Sequence, residues 1–106
     1  MAVIGLDHRH NGQRVAAKVG DTVELVLPEK ATTGFQWEAD DPGDALAVES
    51  SELVPPADAR AGAAATRRVV VRAVQPGNGR LSLRLRRPWE PVENADDDYA
   101  VDIDVT

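Results

Sequence analysis

Two histidines and an aspartate near the start of the chain are the residues with the clearest potential for chemistry. Asp7, His8 and His10 are all possible metal ligands, and on a strand His8 and His10 would share one face. A zinc site needs three or four ligands of this kind, and the chain has no third histidine and no cysteine. The pattern favours a solvated loop. A metal-dependent enzyme is kept as an alternative, which predicts bound metal.

Other catalytic motifs are missing from the sequence. Ser50, Ser51 and Ser82 are its only serines, and none lies in a nucleophile motif. The aspartates at 96–98 lack the glycine-spaced pattern of a calcium loop, and no glycine-rich loop could cradle a phosphate. We therefore expect a protein that is not an enzyme and that has no metal and no cofactor.

Composition limits the partners. A chain of 106 residues is one domain, here spanning 1–106, and without cysteine it must be held together by packing alone. The net charge of −6 argues against nucleic acid and against an anionic membrane surface. No apolar stretch is long enough to span a membrane. We expect a monomer that is cytoplasmic, or secreted or periplasmic if a signal segment was removed.

Alternation of apolar and polar residues predicts an antiparallel β-sandwich of seven or eight short strands, because turn residues recur at regular spacing and no helical period stands out. We expect Pro28 to end the third strand, Leu46 and Val48 to be buried, and residues 50–65 to form an irregular loop. The predicted strands are residues 3–6, 13–19, 22–27, 35–39, 45–49, 66–74, 80–86 and 99–106.

The order of these strands predicts that three irregular segments lie together. Residues 66–74 and 80–86 are joined by a short turn at 75–79, so we expect an antiparallel hairpin. The segments before and after this hairpin, 60–66 and 87–91, then emerge at one end of the domain. An even number of strand passes brings residues 30–35 to the same end. Clustered loops on a rigid sandwich are typical of a binding surface.

Two of these segments carry aromatic residues in suggestive positions. Thr32, Thr33 and Gly34 suit a tight exposed loop, and we expect Phe35 and Trp37 to point to one face and support it from below. Taken alone, this stretch is more typical of a simple turn. Trp89 stands between two prolines where the alternation has stopped, which favours an ordered, exposed interface anchor. A buried core position is the alternative for Trp89.

The three segments together resemble the loop motifs of the chagasin-like inhibitors of papain-type cysteine peptidases. The family's first motif is Asn-Pro-Thr-Thr-Gly, then Phe or Tyr, one residue and Trp; residues 30–37 read KATTGFQW. The second is Gly-x-Gly-Gly, and residues 62–65 read GAAA. The third, Arg-Pro-Trp, is intact at 87–89. The resemblance covers nearly the whole chain, and three motifs in this order are fairly specific.

The resemblance implies an immunoglobulin-like sandwich whose three loops fill a peptidase cleft without presenting a cleavable bond. The Thr-Thr-Gly loop would sit over the catalytic cysteine and histidine, the glycine loop would lie along the cleft as an extended segment, and the Arg-Pro-Trp loop would pack its aromatic ring against the far wall. The residues that it places against the peptidase are Lys30, Ala31, Thr32, Thr33, Gly34, Phe35, Gly62, Ala63, Ala64, Ala65, Arg87, Pro88 and Trp89.

Two departures from the family motifs concern the shape of the loops. Lys30-Ala31 replaces Asn-Pro, so the restriction of a proline is lost, and Ala64-Ala65 replaces Gly-Gly, which matters if either position needs positive φ. Both departures concern the strength of inhibition and not the fold. A non-inhibitory immunoglobulin-like interaction or adhesion module is the alternative function.

Overall fold

The structure is a computed structural model, and it describes residues 2–29, 36–54, 65–87, 89 and 97–106. Within these residues the chain forms eight β-strands and one 3₁₀ helix. In chain order these are β1 (Val3–Leu6), the 3₁₀ helix (His8–His10), β2 (Arg14–Ala17), β3 (Thr22–Glu29), β4 (Gln36–Ala39), β5 (Leu46–Val54), β6 (Ala65–Ala73), β7 (Gly77–Arg86) and β8 (Asp97–Val105). Across the described ranges, no helix has the length and apolar character needed to cross a membrane.

The strands form two four-stranded sheets packed as a sandwich, so the predicted fold class is confirmed. One sheet has the order β1-β3-β6-β5 and the other β2-β8-β7-β4. Most neighbouring strands are antiparallel, but β1 runs parallel to β3 and β2 runs parallel to β8. Residue alternation predicts which face a side chain occupies but not the direction of the neighbouring strand, so these two pairs were not anticipated.

The core lies between the sheets and follows from the period-two alternation. In β3, Val23, Leu25 and Leu27 face inward with at most 1% exposure, as predicted. The neighbouring strand β6 adds Val69 and Val71 to this layer, and β7 and β8 of the other sheet supply the facing side chains, all at most 2% exposed: Leu81, Leu83, Tyr99, Val101 and Ile103. With only four aromatic residues in the chain, aliphatic packing supplies most of the hydrophobic stabilisation.

The prediction that Pro28 ends β3 is wrong. The strand continues to Glu29, and Pro28 pairs with Thr66 of β6. A proline is excluded from a strand that has hydrogen-bonded neighbours on both sides, but the pairing of β1 with β3 stops at Leu25. Beyond that residue β3 pairs with β6 alone among the described strands, so the missing N–H of Pro28 is tolerated. The consequence is that Glu29 continues the inward-facing row.

The stretch from residue 45 to residue 54 also differs from the prediction. Leu46 is buried as expected, but Val48 is 41% exposed, and the strand runs on to Val54 through residues predicted to be irregular. β5 is the outer strand of its sheet, and its register with β6 shifts between Val48 and Ser50. Val48 pairs with the inward-facing Val71 before this shift, so the alternation holds at Val48, and its exposure follows from the position of β5 at the open edge of the sheet.

The predicted hairpin of residues 66–74 and 80–86 is not a hairpin. β6 and β7 reverse direction as expected, but they belong to different sheets. Both edges of β6 are already occupied, by β3 and by β5, so β7 cannot pair with it. The valines of β6 and the leucines of β7 instead face each other across the core. The reversal still brings the start of β6 and the end of β7 to the same end of the sandwich.

Several strand ends are displaced from their predicted positions. β2 stops at Ala17, which leaves Val19 47% exposed, and β8 begins at Asp97, inside the predicted acidic loop. β7 begins at Gly77 and includes Gly79, which lies against the side chain of Leu46 with no room for a Cβ. Glycine at 79 therefore serves close packing between the two sheets rather than a turn.

Candidate functional site

The structure describes the borders of the three candidate segments. Residues 30–35, Gly62, Ala63, Ala64 and Pro88 lie outside the described residues, so the predictions for their contacts stay predictions. Ala65, Arg87 and Trp89 are described. The site is therefore built from the strand ends that lead into each segment and from the side chains that hold those ends in place.

In the first sheet, the ends of two segments are neighbours. Glu29, the last residue of β3, pairs with Ala65, the first residue of β6. Val54, the last residue of β5, pairs with Thr66. Residues 30–35 follow Glu29, and residues 55–64 join Val54 to Ala65. The two segments thus leave from one end of this sheet, as the order of the predicted strands requires.

In the second sheet, the ends next to the first and third segments are neighbours. Gln36, the first residue of β4, pairs with Arg86, the last residue of β7. Arg86 donates a hydrogen bond from its Nε to Oε2 of Glu38 at 2.9 Å, on the same pair of strands. Because Arg87 and Trp89 follow Arg86 directly, the third segment begins beside the end of the first.

Trp37 joins these two sheet ends. It is 7% exposed, which confirms the predicted buried position. Its indole Nε1–H donates to the carbonyl oxygen of Pro28 at 2.9 Å, and its backbone N–H donates to Oε1 of Glu29 at 2.6 Å. Pro28 and Glu29 precede residues 30–35, whereas Trp37 follows them. Two hydrogen bonds from one residue therefore hold the two ends of this segment together. The other predicted supporting ring, Phe35, lies outside the described residues.

Glu29 is a buried carboxylate with a full set of partners. It is 1% exposed, at the end of the apolar row of β3. Arg67 of β6 donates to it through Nε, 3.2 Å from Oε1, and through Nη2, 2.9 Å from Oε2. A buried carboxylate without partners would cost several kcal/mol, roughly the effective penalty for one buried ion. The bidentate pair and the Trp37 amide together offset that penalty and tie both sheets together.

Sequence reasoning did not find Glu29 or Arg67. The signal was present, since the inward row of Val23, Leu25 and Leu27 reaches Glu29 if the alternation is continued through Pro28. Arg67 lies opposite Leu27 in the pairing of β3 with β6 and so faces the same side of the sheet. Assigning the strand end to Pro28 concealed both positions.

Trp89 is strongly exposed. Its exposure is 72%, the largest among the exposed large hydrophobic residues of the described chain, whereas the neighbouring Arg87 is half-buried. This excludes the alternative in which Trp89 is a core residue. An exposed tryptophan that follows closely after a strand is typical of a binding anchor.

Ala65 lies in a strand rather than in a loop. It is the first residue of β6 and is 8% exposed. Within the described ranges, every residue with positive φ is a glycine, so Ala65, which replaces the third glycine of the family motif, fits its backbone. The corresponding question for Ala64 falls outside the described residues.

The histidines near the start of the chain form part of a capped turn. Asp7 precedes the 3₁₀ helix of His8–His10, and its Oδ1 accepts a hydrogen bond from the backbone N–H of Arg9 at 3.0 Å. The side-chain hydrogen bonds from Arg9 lower the pKa of Asp7 well below its usual range. No group of three or more potential metal ligands occurs among the described residues. The hydroxyl of Tyr99 donates to the Asp7 carbonyl at 2.9 Å, which anchors the turn to β8.

The sequence of this chain is also similar to a known protein family. The family model described as chagasin family peptidase inhibitor I42 matches residues 16–103. Chagasin of Trypanosoma cruzi is 31% identical over 85 residues, which cover 76% of this chain and 77% of chagasin.

Solved structures share the fold. The cysteine protease inhibitor EhICP2 from Entamoeba histolytica has a TM-score of 0.88 at 18% identity, over 100% of this chain and 97% of that one. PbICP-C, solved in complex with falcipain-2, has a TM-score of 0.72 at 17% identity, over 97% and 99% of the two chains. The sandwich described above is therefore shared along almost its whole length.

Proposed function

Because the chain belongs to the chagasin family of peptidase inhibitors, we propose that it is a reversible, tight-binding inhibitor of papain-like cysteine peptidases. It acts by binding and not by catalysis. Three segments, residues 30–35, 60–66 and 87–91, together fill the cleft of the peptidase. The partner is a folded peptidase, and neither nucleic acid nor a membrane takes part.

The first segment, residues 30–35, blocks the catalytic residues. Thr32, Thr33 and Gly34 lie over the catalytic cysteine and histidine, while the segment around Gly62 runs along the cleft. The tryptophan at 89 packs against the opposite wall. The contacts of the second and third segments with the peptidase hold the first segment in place. It therefore occupies the site without offering a peptide bond for cleavage. Ordered segments lose little entropy on binding, which favours tight association.

One observation carries this proposal: strand ends next to all three segments converge at a single end of the sandwich. The pairs Glu29–Ala65 and Gln36–Arg86 lie at the ends of the two sheets, and the hydrogen bond from Trp37 to Glu29 links these ends. Trp89 is exposed next to the same strand end. A rigid body that presents three neighbouring segments and an exposed aromatic ring suits insertion into a groove.

The partner class is also supported by the named relatives. EhICP2 is described as a cysteine protease inhibitor, and PbICP-C was solved bound to falcipain-2. These statements concern those proteins. Transferred to this chain, they support a cysteine peptidase as the partner.

Titration of active papain with the purified protein tests the proposal. We expect activity to fall as the protein is added, to return on dilution, and the inhibitor to keep its intact mass after prolonged incubation. Trypsin, a serine peptidase, serves as the control and should be unaffected. Full papain activity at micromolar protein, repeated over a small panel of papain-like peptidases, would contradict the proposal. That result would favour the non-inhibitory interaction module.

A further inference from the structure

The partners of the buried Glu29 carboxylate lie next to two of the three candidate segments. Its carboxylate contacts Trp37, which follows residues 30–35, and Arg67, which follows residues 55–64. Glu29 itself directly precedes residues 30–35. A side chain at the start of the first segment therefore contacts one residue beyond the end of that segment and one residue beyond the second segment.

We infer that Glu29 is a positioning residue for inhibition: by accepting the Trp37 amide hydrogen, it fixes the points at which residues 30–35 leave one sheet and enter the other. This inference rests on the proposed function. Glu29 itself is buried and does not touch the peptidase. It acts through Trp37, and Arg67 orients the carboxylate by holding both of its oxygens.

The geometry supports a specific role for the Oε1 atom. It accepts a hydrogen bond from the backbone N–H of Trp37 at 2.6 Å and a second one from Nε of Arg67 at 3.2 Å. The other oxygen, Oε2, takes the remaining bond from Arg67 at 2.9 Å. The carboxylate plane is thus set by Arg67, and one oxygen is directed at the amide of the other sheet. Charge-assisted hydrogen bonds of this kind are short and directional.

The contacts of Glu29 with Trp37 and Arg67, called the clamp below, matter in this chain because of the residues that they enclose. Alanine stands at position 31, where the family motif has proline, so the segment lacks that restriction on its backbone. Holding the two ends at a fixed separation also reduces the number of conformations open to the chain between them. A clamp at the base can therefore supply order that the sequence of the segment itself does not supply.

Two double variants separate the hydrogen bond from the charge. Glu29→Met with Arg67→Met removes both charges and keeps the size of the side chains, but it leaves the Trp37 amide without its acceptor. Glu29→Gln with Arg67→Met also removes both charges, but the amide oxygen can still accept from Trp37. Replacing a buried ion pair by apolar residues of similar volume is often tolerated, so both variants can fold.

A matched control lies on the same two strands. Glu24 of β3 and Arg68 of β6 form an ion pair at 3.1 Å on the outer face, with 34% and 39% exposure of their side chains. Glu24→Gln with Arg68→Met removes this pair, together with the bond from Arg68 to Glu52 at 3.1 Å, and leaves Glu29, Trp37 and Arg67 unchanged. We expect its inhibition constant to stay within twofold of that of the unmodified protein.

The measurements are the inhibition constant for papain and the exchange rate of the Trp37 amide hydrogen. We expect the methionine pair to weaken inhibition at least tenfold and to lose protection of that amide, and the glutamine variant to stay within threefold of the unmodified protein. Equal inhibition by the methionine pair and the unmodified protein would overturn the inference. Equal tenfold losses in both double variants would overturn the role of the hydrogen-bond acceptor.

The amide exchange also tests the clamp without a peptidase. In the unmodified protein we expect the Trp37 amide to exchange at least 100-fold more slowly than an unstructured amide. Rapid exchange there would overturn the inference even if the variants did not fold. If the unmodified protein inhibits no peptidase while this amide is protected, the proposed function fails and the clamp stands as a feature of the fold alone.

Discussion

Replacing Trp89 with alanine should separate binding from folding. The chain has two tryptophans in opposite environments: Trp89 is 72% exposed and Trp37 is 7% exposed. An exposed anchor contributes only when a partner covers it, whereas a buried ring contributes to the stability of the free protein. We therefore expect Trp89→Ala to weaken inhibition of papain while leaving the melting temperature nearly unchanged.

The expected loss of affinity follows from the exposed area of the Trp89 side chain. A buried tryptophan covers roughly 150–250 Å², so covering the exposed 72% of Trp89 would remove about 110–180 Å² from water. At about 25 cal/mol per Å² this gives roughly 3–4 kcal/mol. Ordering the side chain costs about 0.5–1.5 kcal/mol. The remainder of about 2–3 kcal/mol corresponds to a loss of affinity of about 30- to 150-fold.

The assay compares inhibition constants for papain with thermal melting of the free protein. Trp37→Phe is the matched control, because it removes the indole N–H that donates to Pro28 from a buried ring. It should lower the melting temperature by several degrees, since about 1 kcal/mol shifts a domain of this size by about 4–8 °C. An inhibition constant of Trp89→Ala within threefold of the unmodified value would refute the anchor. A melting temperature that falls by more than about 5 °C would refute the exposed position.

Three further predictions concern packing, pH and loop order. Gly79→Ala should destabilise the fold by about 1–3 kcal/mol, measured by urea unfolding, because a Cβ at this position overlaps the side chain of Leu46; unchanged stability would contradict the close approach of the sheets there. Hydrogen bonds from the backbone N–H groups of Lys18 and Ala2 lower the pKa of Asp21. The unfolded-state pKa is about 3.9 and the folded-state pKa is lower, so the stabilisation by Asp21 is present above pH of about 4 and is lost as the pH falls through the folded value. In thermal melts between pH 6 and pH 2, Asp21→Asn should flatten this acid-side decline, and an unchanged slope would exclude the contribution. Ala31→Pro restores the proline of the family motif and should lower the inhibition constant about two- to fivefold, as expected for about 0.4–1 kcal/mol of chain restriction; weaker inhibition would show that position 31 needs a backbone angle that proline cannot adopt.

The positions of inward-facing side chains could be predicted from the sequence. In β3, β7 and β8 the alternation placed Val23, Leu81 and Ile103 in the core, and each is fully buried. The fold class followed from the same pattern. The exposure of Trp89 was also predicted, from the flanking prolines and the end of the alternation, and is confirmed; its role as an anchor stays a prediction.

What could not be predicted depends on neighbours that lie far away in the chain. Whether Pro28 is tolerated depends on where the pairing with β1 stops, and whether Val48 is buried depends on whether its strand lies at the edge of the sheet. The assignment of β6 and β7 to different sheets depends on β6 having both edges occupied. None of these facts is encoded in the local sequence. The contact between Glu29 and Arg67 also joins residues 38 positions apart, although the alternation of β3, continued through Pro28, marks Glu29 as inward-facing.

The pairing of β2 with β8 joins residues 14–17 to residues 102–105, which lie far apart in the sequence. In this sheet β8 lies between β2 and β7, and β4 lies on the other side of β7. During synthesis the second sheet can therefore be completed only once the last strand has left the ribosome. Contacts this distant in sequence make for slow folding. A chain shortened by its last strand would leave both β2 and one side of β7 unpaired, which are the conditions under which β-proteins aggregate.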